Sequence, residues 1–319
     1  MTIERKTEYS MDLRFKKLEA EDVEMLTKYY GRRHDMTCDS VILDSFLWAR
    51  YYDVEFTVCD EKAILWKLQI DGQPYASLPV CAMEDMPNYF AKLERYFNET
   101  LHQPLVIYLA DEQAVEELQL PPEKYTVTEL PDAKDYLYSA EKLKLLSGKK
   151  LHKKKNHLNS FLREYEGRFE YRTICCSDRD DVWAFLEQWR TQKGQEVEGH
   201  LDPEVEGIHE ILNNCSVFDV RMGGIYVDNK LEAFSIGSYN AVEKMAIIHI
   251  EKANPDIRGL YQYINQQFLI HEFPDAEIVN REDDMGLPGL RRAKESYDPI
   301  GFARKYRISQ IWNEELKGE

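Results

Sequence analysis

Apolar positions along this chain follow two rhythms, one helical and one of short runs. Helical spacing marks Glu19–Tyr30, with an acidic first turn at Ala20-Glu21-Asp22, and Ser40–Tyr52. Short apolar or alternating runs predict strands at Glu55–Cys59, Ala63–Ile70 and Tyr75–Pro79, with Asp71-Gly72 as a turn signal. Met86–Asn98 reads as a helix with Pro87 at its start. Pro104–Ala110 follows as a strand, Asp111–Leu118 as a helix, and Tyr125–Leu130 and Asp135–Ser139 as strands. Leu151, Leu158, Phe161, Leu162 and Tyr165 recur at helical spacing. Lys149–Glu166 is therefore expected to be an amphipathic helix, its lysines mostly off the apolar stripe and Glu166-Gly167 ending it.

The second half repeats the theme. Phe169–Ile174 is a strand, Asp178–Gln192 a helix capped by Ser177 or Asp178, and Glu206–Asn214 another helix. Strands are expected at Val217–Met222, Gly224–Val227 and Leu231–Tyr239, with Asp228-Asn229 as a hairpin turn. The strand Lys244–Glu251, the helix Gly259–His271, the strand Ala276–Asn280, the helix Leu287–Tyr297 and the strand Phe302–Ile308 complete the order. Both halves run helix, helix, meander, then strand–helix–strand. This order predicts two copies of one mixed fold, residues 1–147 and 148–319, with the basic helix at or bridging the boundary.

Composition narrows the class. The 319 residues are 43% hydrophobic and 12% aromatic, enough to bury a core. No run approaches the ~18 apolar residues of a membrane span, and Met1-Thr2-Ile3-Glu4-Arg5-Lys6 lacks a signal-peptide core; a cytoplasmic protein is expected. Cys38, Cys59, Cys81, Cys175, Cys176 and Cys215 form no Cys-x-x-Cys pair, which predicts free thiols used as small core residues. A net charge of −17 repels nucleic acid globally, but Lys142–Lys155 holds seven lysines and no acid.

The richest chemistry lies in Ala246–Tyr261. It reads as a buried strand, a turn at Pro255, the pair Arg258-Gly259, and a helix. A helix starting directly after a strand offers free N–H groups and the positive end of its dipole, an arrangement that binds phosphate. Glu251, at the strand end, would face the same crevice.

Asn254-Pro255-Asp256-Ile257-Arg258-Gly259 resembles the donor-binding motif of the GNAT acyltransferases, whose loop amides hold the pyrophosphate of coenzyme A. It departs from that motif at Tyr261 and Tyr263, where small residues would stand; a bulky side chain limits close approach of the backbone to a ligand. Gly289–Tyr297 followed by Gly301-Phe302 resembles the closing GNAT helix, in which a Tyr acts as general acid. Lys149–His157, Glu251-Lys252-Ala253-Asn254 and Val279–Lys294 are similar to an uncharacterised bacterial family related to the C-terminal domain of phosphatidylglycerol lysyltransferase. That resemblance implies an α+β fold of two tandem GNAT-like domains, as in the Fem-type aminoacyltransferases, each a mixed, mostly antiparallel sheet flanked by helices.

The expected chemistry is acyl transfer to an amine on a small molecule or lipid. Glu251 would act as base, a backbone N–H near Lys252–Asn254 would polarise the carbonyl, and Tyr297 would protonate the leaving group. Lys252, Ala253, Asn254, Arg258, Gly259, Leu260 and Tyr261 would bind the donor. Asn280, Arg281, Glu282, Arg291 and Lys153 would contact substrate. Acyl-coenzyme A ranks first as donor, aminoacyl-tRNA held through Lys149–Lys155 second, and a non-catalytic binding module is the reading from another class. Three acids in Glu282-Asp283-Asp284 could read a cationic acceptor. No His stands at ligand spacing from them, so no metal is expected, and His152, His157 and His249 read as structural. No Gly-x-Ser-x-Gly, Walker or zinc motif occurs.

Overall fold

The computed structural model describes residues 13–193 and 201–312. In chain order its elements are β1 (Lys16–Lys17), α1 (Val23–Thr27), α2 (Ile42–Leu47), β2 (Glu55–Cys59), β3 (Ala63–Ile70), β4 (Gln73–Ala76), α3 (Met86–Arg95), β5 (Val106–Asp111), α4 (Glu112–Leu118), β6 (Tyr125–Glu129), β7 (Asp135–Ser139), α5 (Ala140–Leu145) and α6 (His152–Glu164). The second half adds β8 (Phe169–Thr173), α7 (Arg179–Lys193), α8 (Leu201–Asn213), β9 (Arg221–Val227), β10 (Lys230–Asn240), β11 (Met245–Ala253), α9 (Leu260–Glu272), β12 (Ile278–Asn280), α10 (Pro288–Glu295), β13 (Gly301–Ala303) and β14 (Lys305–Gln310).

Among the described residues the strands form two mixed seven-stranded sheets, in the orders β1-β2-β3-β4-β5-β14-β6 and β13-β7-β12-β11-β10-β9-β8. The α+β arrangement of two helix-flanked sheets is the one the sequence implied. The sheets exchange strands: β7 joins the second sheet between β12 and β13, and β14 returns to the first between β5 and β6. Sheet membership therefore crosses residue 147 in both directions. The expected last strand, Phe302–Ile308, is two strands in different sheets, separated at Arg304. Lys305, the first residue of β14, is 2% exposed, so the chain crosses between the sheets with a buried ammonium.

A shared apolar core joins the halves: Leu26, Leu43, Phe46, Leu47 and Trp66 pack in one cluster with Phe185, Trp189, Ile211, Phe234 and Ile236. Each sheet has its own second core under α3 or α9. The early helices are shorter than their apolar spacing predicts. Val23–Thr27 follows a 3-10 turn at Ala20–Asp22, and Ile42–Leu47 stops before a turn containing Asp53 at positive φ. Val217–Met222 and Gly224–Val227 merge into β9, while Cys215–Val217 forms a 3-10 turn. Ala140–Leu145, a helix capped by the Ser139 side chain, lies where none is expected.

The cysteine reading is corrected in part. Cys38, Cys59 and Cys81 are buried free thiols and Cys175 an exposed one, but Cys176 and Cys215 form a disulfide. They lie 39 residues apart, and only folding of the segment between them brings their Cα atoms to 6.0 Å.

Candidate functional site

A fork in the second sheet creates the site. β11 pairs in parallel with β12 over only Met245–Ile247. β12 ends at Asn280, while β11 continues to Ala253 beyond its pairing with β12. On its other edge, β11 pairs Ile236 with Ile250 but Gly237 with Ile248. His249 is therefore the extra residue of a β-bulge, a device that re-aims a side chain. Its imidazole is fully enclosed, with Nε2 2.7 Å from Ser238 Oγ and Nδ1 2.8 Å from Glu282 Oε1. Burial pushes its pKa down to about 4, so it is neutral at pH 7.

Glu251 and Tyr297 do meet, through Arg281. Arg281 Nη2 donates to Glu251 Oε1 at 2.8 Å, and Asn265 Nδ2 on α9 donates to Oε2 at 2.9 Å. The guanidinium lies 4.8 Å from the centre of the Tyr297 ring and 5.8 Å from that of Tyr138. The Tyr297 hydroxyl accepts from Gln262 Nε2 at 3.2 Å. Burial raises its pKa, so it holds its proton at neutral pH. Above the same ring, at 4.2 Å, sits the Lys154 ammonium, whose pKa is lowered by burial and by Arg281. Arg281 Nη1 is buried and has no hydrogen-bond partner among the described residues.

A tight turn fixes this group. Glu282 adopts a left-handed backbone (φ 56°), its N–H donating to Asn280 Oδ1 at 2.7 Å. The turn sends Arg281 toward Glu251 and Glu282 toward His249. Lys294 Nζ holds the turn from α10 by donating to the carbonyls of Arg281, at 2.6 Å, and Asp283.

The expected donor-binding residues are arranged differently from an open phosphate loop. Gly259 takes φ +88°, and a Cβ there would lie 2.1 Å from the His157 carbonyl, so α6 packs directly on the start of α9. Arg258 Nε donates to His157 Nδ1 at 3.2 Å. The Asn254 N–H donates to the Glu232 carbonyl at 2.8 Å, which removes it as a carbonyl-polarising group. Lys252 pairs with Glu204 at 2.6 Å, Ala253 is in the core, and Leu260 is fully buried. Tyr261 is partly buried against the core beneath α9.

Among the expected substrate contacts, Asn280 is buried and donates to the Met36 carbonyl and Asp135. Arg291 is engaged by Asp284 and Asp132, and this guanidinium holds the Asp284 carboxyl well below the ordinary range. Lys153 is exposed on α6; with Lys149 and Lys155 it has no ion-pair partner among the described residues, whereas Lys150 pairs with Asp298.

Sequence reading missed a second polar centre next to this one. Lys305 Nζ lies 3.0 Å from Asp135, 3.1 Å from Asp39 and 3.1 Å from Cys38 Sγ. Asp39 and Lys305 also line a cleft with Arg33, Asp35, Asp111 and Asn240. Gln262 and Asn265, one helical turn apart, were detectable as polar residues on the inward stripe of α9; Lys305 carried no local signal.

Residues 32–309 match the family described as phosphatidylglycerol lysyltransferase, C-terminal. The chain belongs to this family. Its fold is similar to that of a conserved Bacteroides thetaiotaomicron protein of unknown function, at 25% identity, TM-score 0.86, and coverage of 94% of this chain and 100% of that one. It is similar also to the C-terminal domain of an Agrobacterium fabrum protein assigned as a lysylphosphatidylglycerol synthetase, at 16% identity and TM-score 0.65 over 93% and 94% of the two chains. L-PGS from Bacillus licheniformis aligns at 11% identity and TM-score 0.62 over 86% and 93%. An uncharacterised Mycoplasmoides gallisepticum protein is 28% identical over 229 residues, 71% of this chain and 72% of that one. The structural likenesses span both sheets. Among the described residues of this family member, no helix is long and apolar enough to cross a membrane.

Proposed function

We propose that this chain is an acyltransferase that moves an aminoacyl group from an ester donor of the aminoacyl-tRNA kind to a nucleophile on a lipid-type acceptor. Membership of the phosphatidylglycerol lysyltransferase C-terminal family supports the reaction class. The observation that carries the choice of donor is the contact between Gly259 and the His157 carbonyl. In the GNAT pattern the pyrophosphate of coenzyme A lies against the start of this helix, and the close packing of α6 on Gly259 favours a donor of another kind. The same α6 and the 3-10 turn before it present Lys153, Lys155 and Lys149 outward, suited to the phosphates of a nucleic acid.

In this reading the acceptor attacks the ester carbonyl beside Arg281. The unpartnered Nη1 donates to the carbonyl oxygen as negative charge develops there. Glu251 orients Arg281 and takes the acceptor's proton on a remaining lone pair. The acyl–oxygen bond to the donor ribose breaks, and the Tyr297 hydroxyl protonates the departing oxygen. Coenzyme A as donor is the competing reading, favoured by the strand–turn–helix order around Arg258.

The test supplies the purified chain with radiolabelled aminoacyl-tRNAs or acyl-coenzyme A, each with phosphatidylglycerol vesicles or small amines. Label transferred from aminoacyl-tRNA and lost in Tyr297→Phe supports the proposal. Transfer from acyl-coenzyme A alone, or from no donor, overturns it.

A further inference from the structure

We propose that Asp44, His249 and Glu282 bind one divalent first-row transition cation, which ties α2 of the first half to the turn that carries Arg281. The three come from α2, the bulge of β11 and the turn after β12. Their ligand atoms all lie within 4.8 Å of one another.

Two independent features point to a cation. The first is Asp44: its buried carboxylate has no hydrogen-bond or ion-pair partner among the described residues. Removing a carboxylate from water without a partner is costly, so such groups are normally paired, protonated or metal-bound. The second is the charge balance. Asp39, Asp44, Asp135 and Glu282 gather around one ammonium, Lys305, which is already held by Asp39, Asp135 and Cys38 Sγ. Lys294 directs its protons to main-chain carbonyls. Asp44 and Glu282 are thus left with no lysine or arginine ion pair among the described residues, beside a neutral imidazole.

The donor set and spacing favour a metal over an organic ammonium. An imidazole nitrogen with two carboxylates suits zinc, manganese or ferrous iron. With bonds of ~2.1 Å, neighbouring ligands on an ion stand about 3.0–3.4 Å apart. His249 Nδ1 and Glu282 Oε1 are hydrogen-bonded at 2.8 Å, so an ion taking the proton's place would part them by only a few tenths of an ångström to reach that edge length. An ammonium between the same two atoms would hold them ~4.7 Å apart at ordinary hydrogen-bond lengths. Ser238 Oγ on Nε2 supplies the partner that a metal-binding imidazole needs for its other nitrogen.

The full chain, stripped with a chelator, would be titrated with Co²⁺ by visible absorption and with Zn²⁺ by calorimetry, without substrate. The outcome is therefore independent of any transfer activity. One equivalent should bind at micromolar affinity or tighter, with cobalt d–d bands. Asp44→Asn should weaken binding at least 100-fold, and Ser238→Ala, which keeps every ligand, about 10- to 100-fold. Absence of binding below about 1 mM, or full affinity in folded Asp44→Asn, overturns the proposal. If the variants fail to fold, pulsed EPR of the Mn²⁺-loaded native chain decides: imidazole nitrogen coupling supports the site, and its absence overturns it.

Discussion

Arg281 offers one edge of its guanidinium to Glu251, at 2.8 Å from Nη2, and leaves Nη1 buried without a partner among the described residues. The pair is nearly enclosed, at 14% and 9% side-chain exposure. Removing one member leaves the other charge unmatched, which costs about 3–5 kcal/mol in buried pairs. Glu251→Gln should therefore lower stability by about 3 kcal/mol in denaturant unfolding. Arg281→Lys, which keeps the charge but loses the fork, should lower transfer activity far more than stability. Equal losses in both would assign Arg281 a purely structural role.

Gly259 admits no side chain. Its φ of +88° and the His157 carbonyl 2.1 Å from a built Cβ oppose any substitution. Gly259→Ala should cost at least about 2 kcal/mol, and hydrogen exchange should show α6 released from α9. A variant with native stability would mean that α6 does not cover the start of α9.

His249 gives the protein a signed acid response. Its pKa lies at about 4 in the fold against 6.5 unfolded. The unfolded chain therefore binds the extra proton first, and the contribution present above pH 6.5 is lost as pH falls through 4. Asp44, Glu282 and Asp283, whose carboxyls are raised by burial, act with the opposite sign. With chelator present, stability of His249→Gln should fall less steeply between pH 6.5 and 4 than that of the native chain. Parallel curves from denaturant melts would refute this.

The exchanged strands β7 and β14 make the halves interdependent. Residues 1–147 expressed alone would carry β7 without its sheet, and 148–319 would carry β14 without its neighbours. Each fragment should be insoluble or unfolded by circular dichroism, and co-expression should restore a soluble complex. Two independently folded fragments would show that the crossed strands are dispensable.

The Cys176–Cys215 link closes a loop across a separation of 39 residues. Loop-closure entropy alone assigns such a link about 3–4 kcal/mol. Reductant, or Cys215→Ser, should lower the melting temperature by several degrees, with Cys175→Ser as an unaffected control.

Much of this was legible in the chain. The strand–turn–helix of β11 and α9 and the basic amphipathic helix α6 follow from apolar period and turn residues, and the family resemblance put Glu251 and Tyr297 in one site, with Arg281 as a substrate contact rather than as the link between them. Those signals arise between residues a few positions apart, where backbone sterics and one-sided burial repeat regularly. Partner choice between distant segments was not legible. Arg291 looked available for an anion but is bound by Asp284 and Asp132. Lys305 looked like a strand residue but is a buried counter-ion. Asp44, His249 and Glu282 share no spacing at all. By itself, then, the sequence determined most of the segments that become helices and strands and the strand–turn–helix order around Arg258. Only the tertiary structure decided which charges cancel, where α6 lies, and how the sheets exchange β7 and β14. Those outcomes depend on burial and long-range pairing, which no local period encodes.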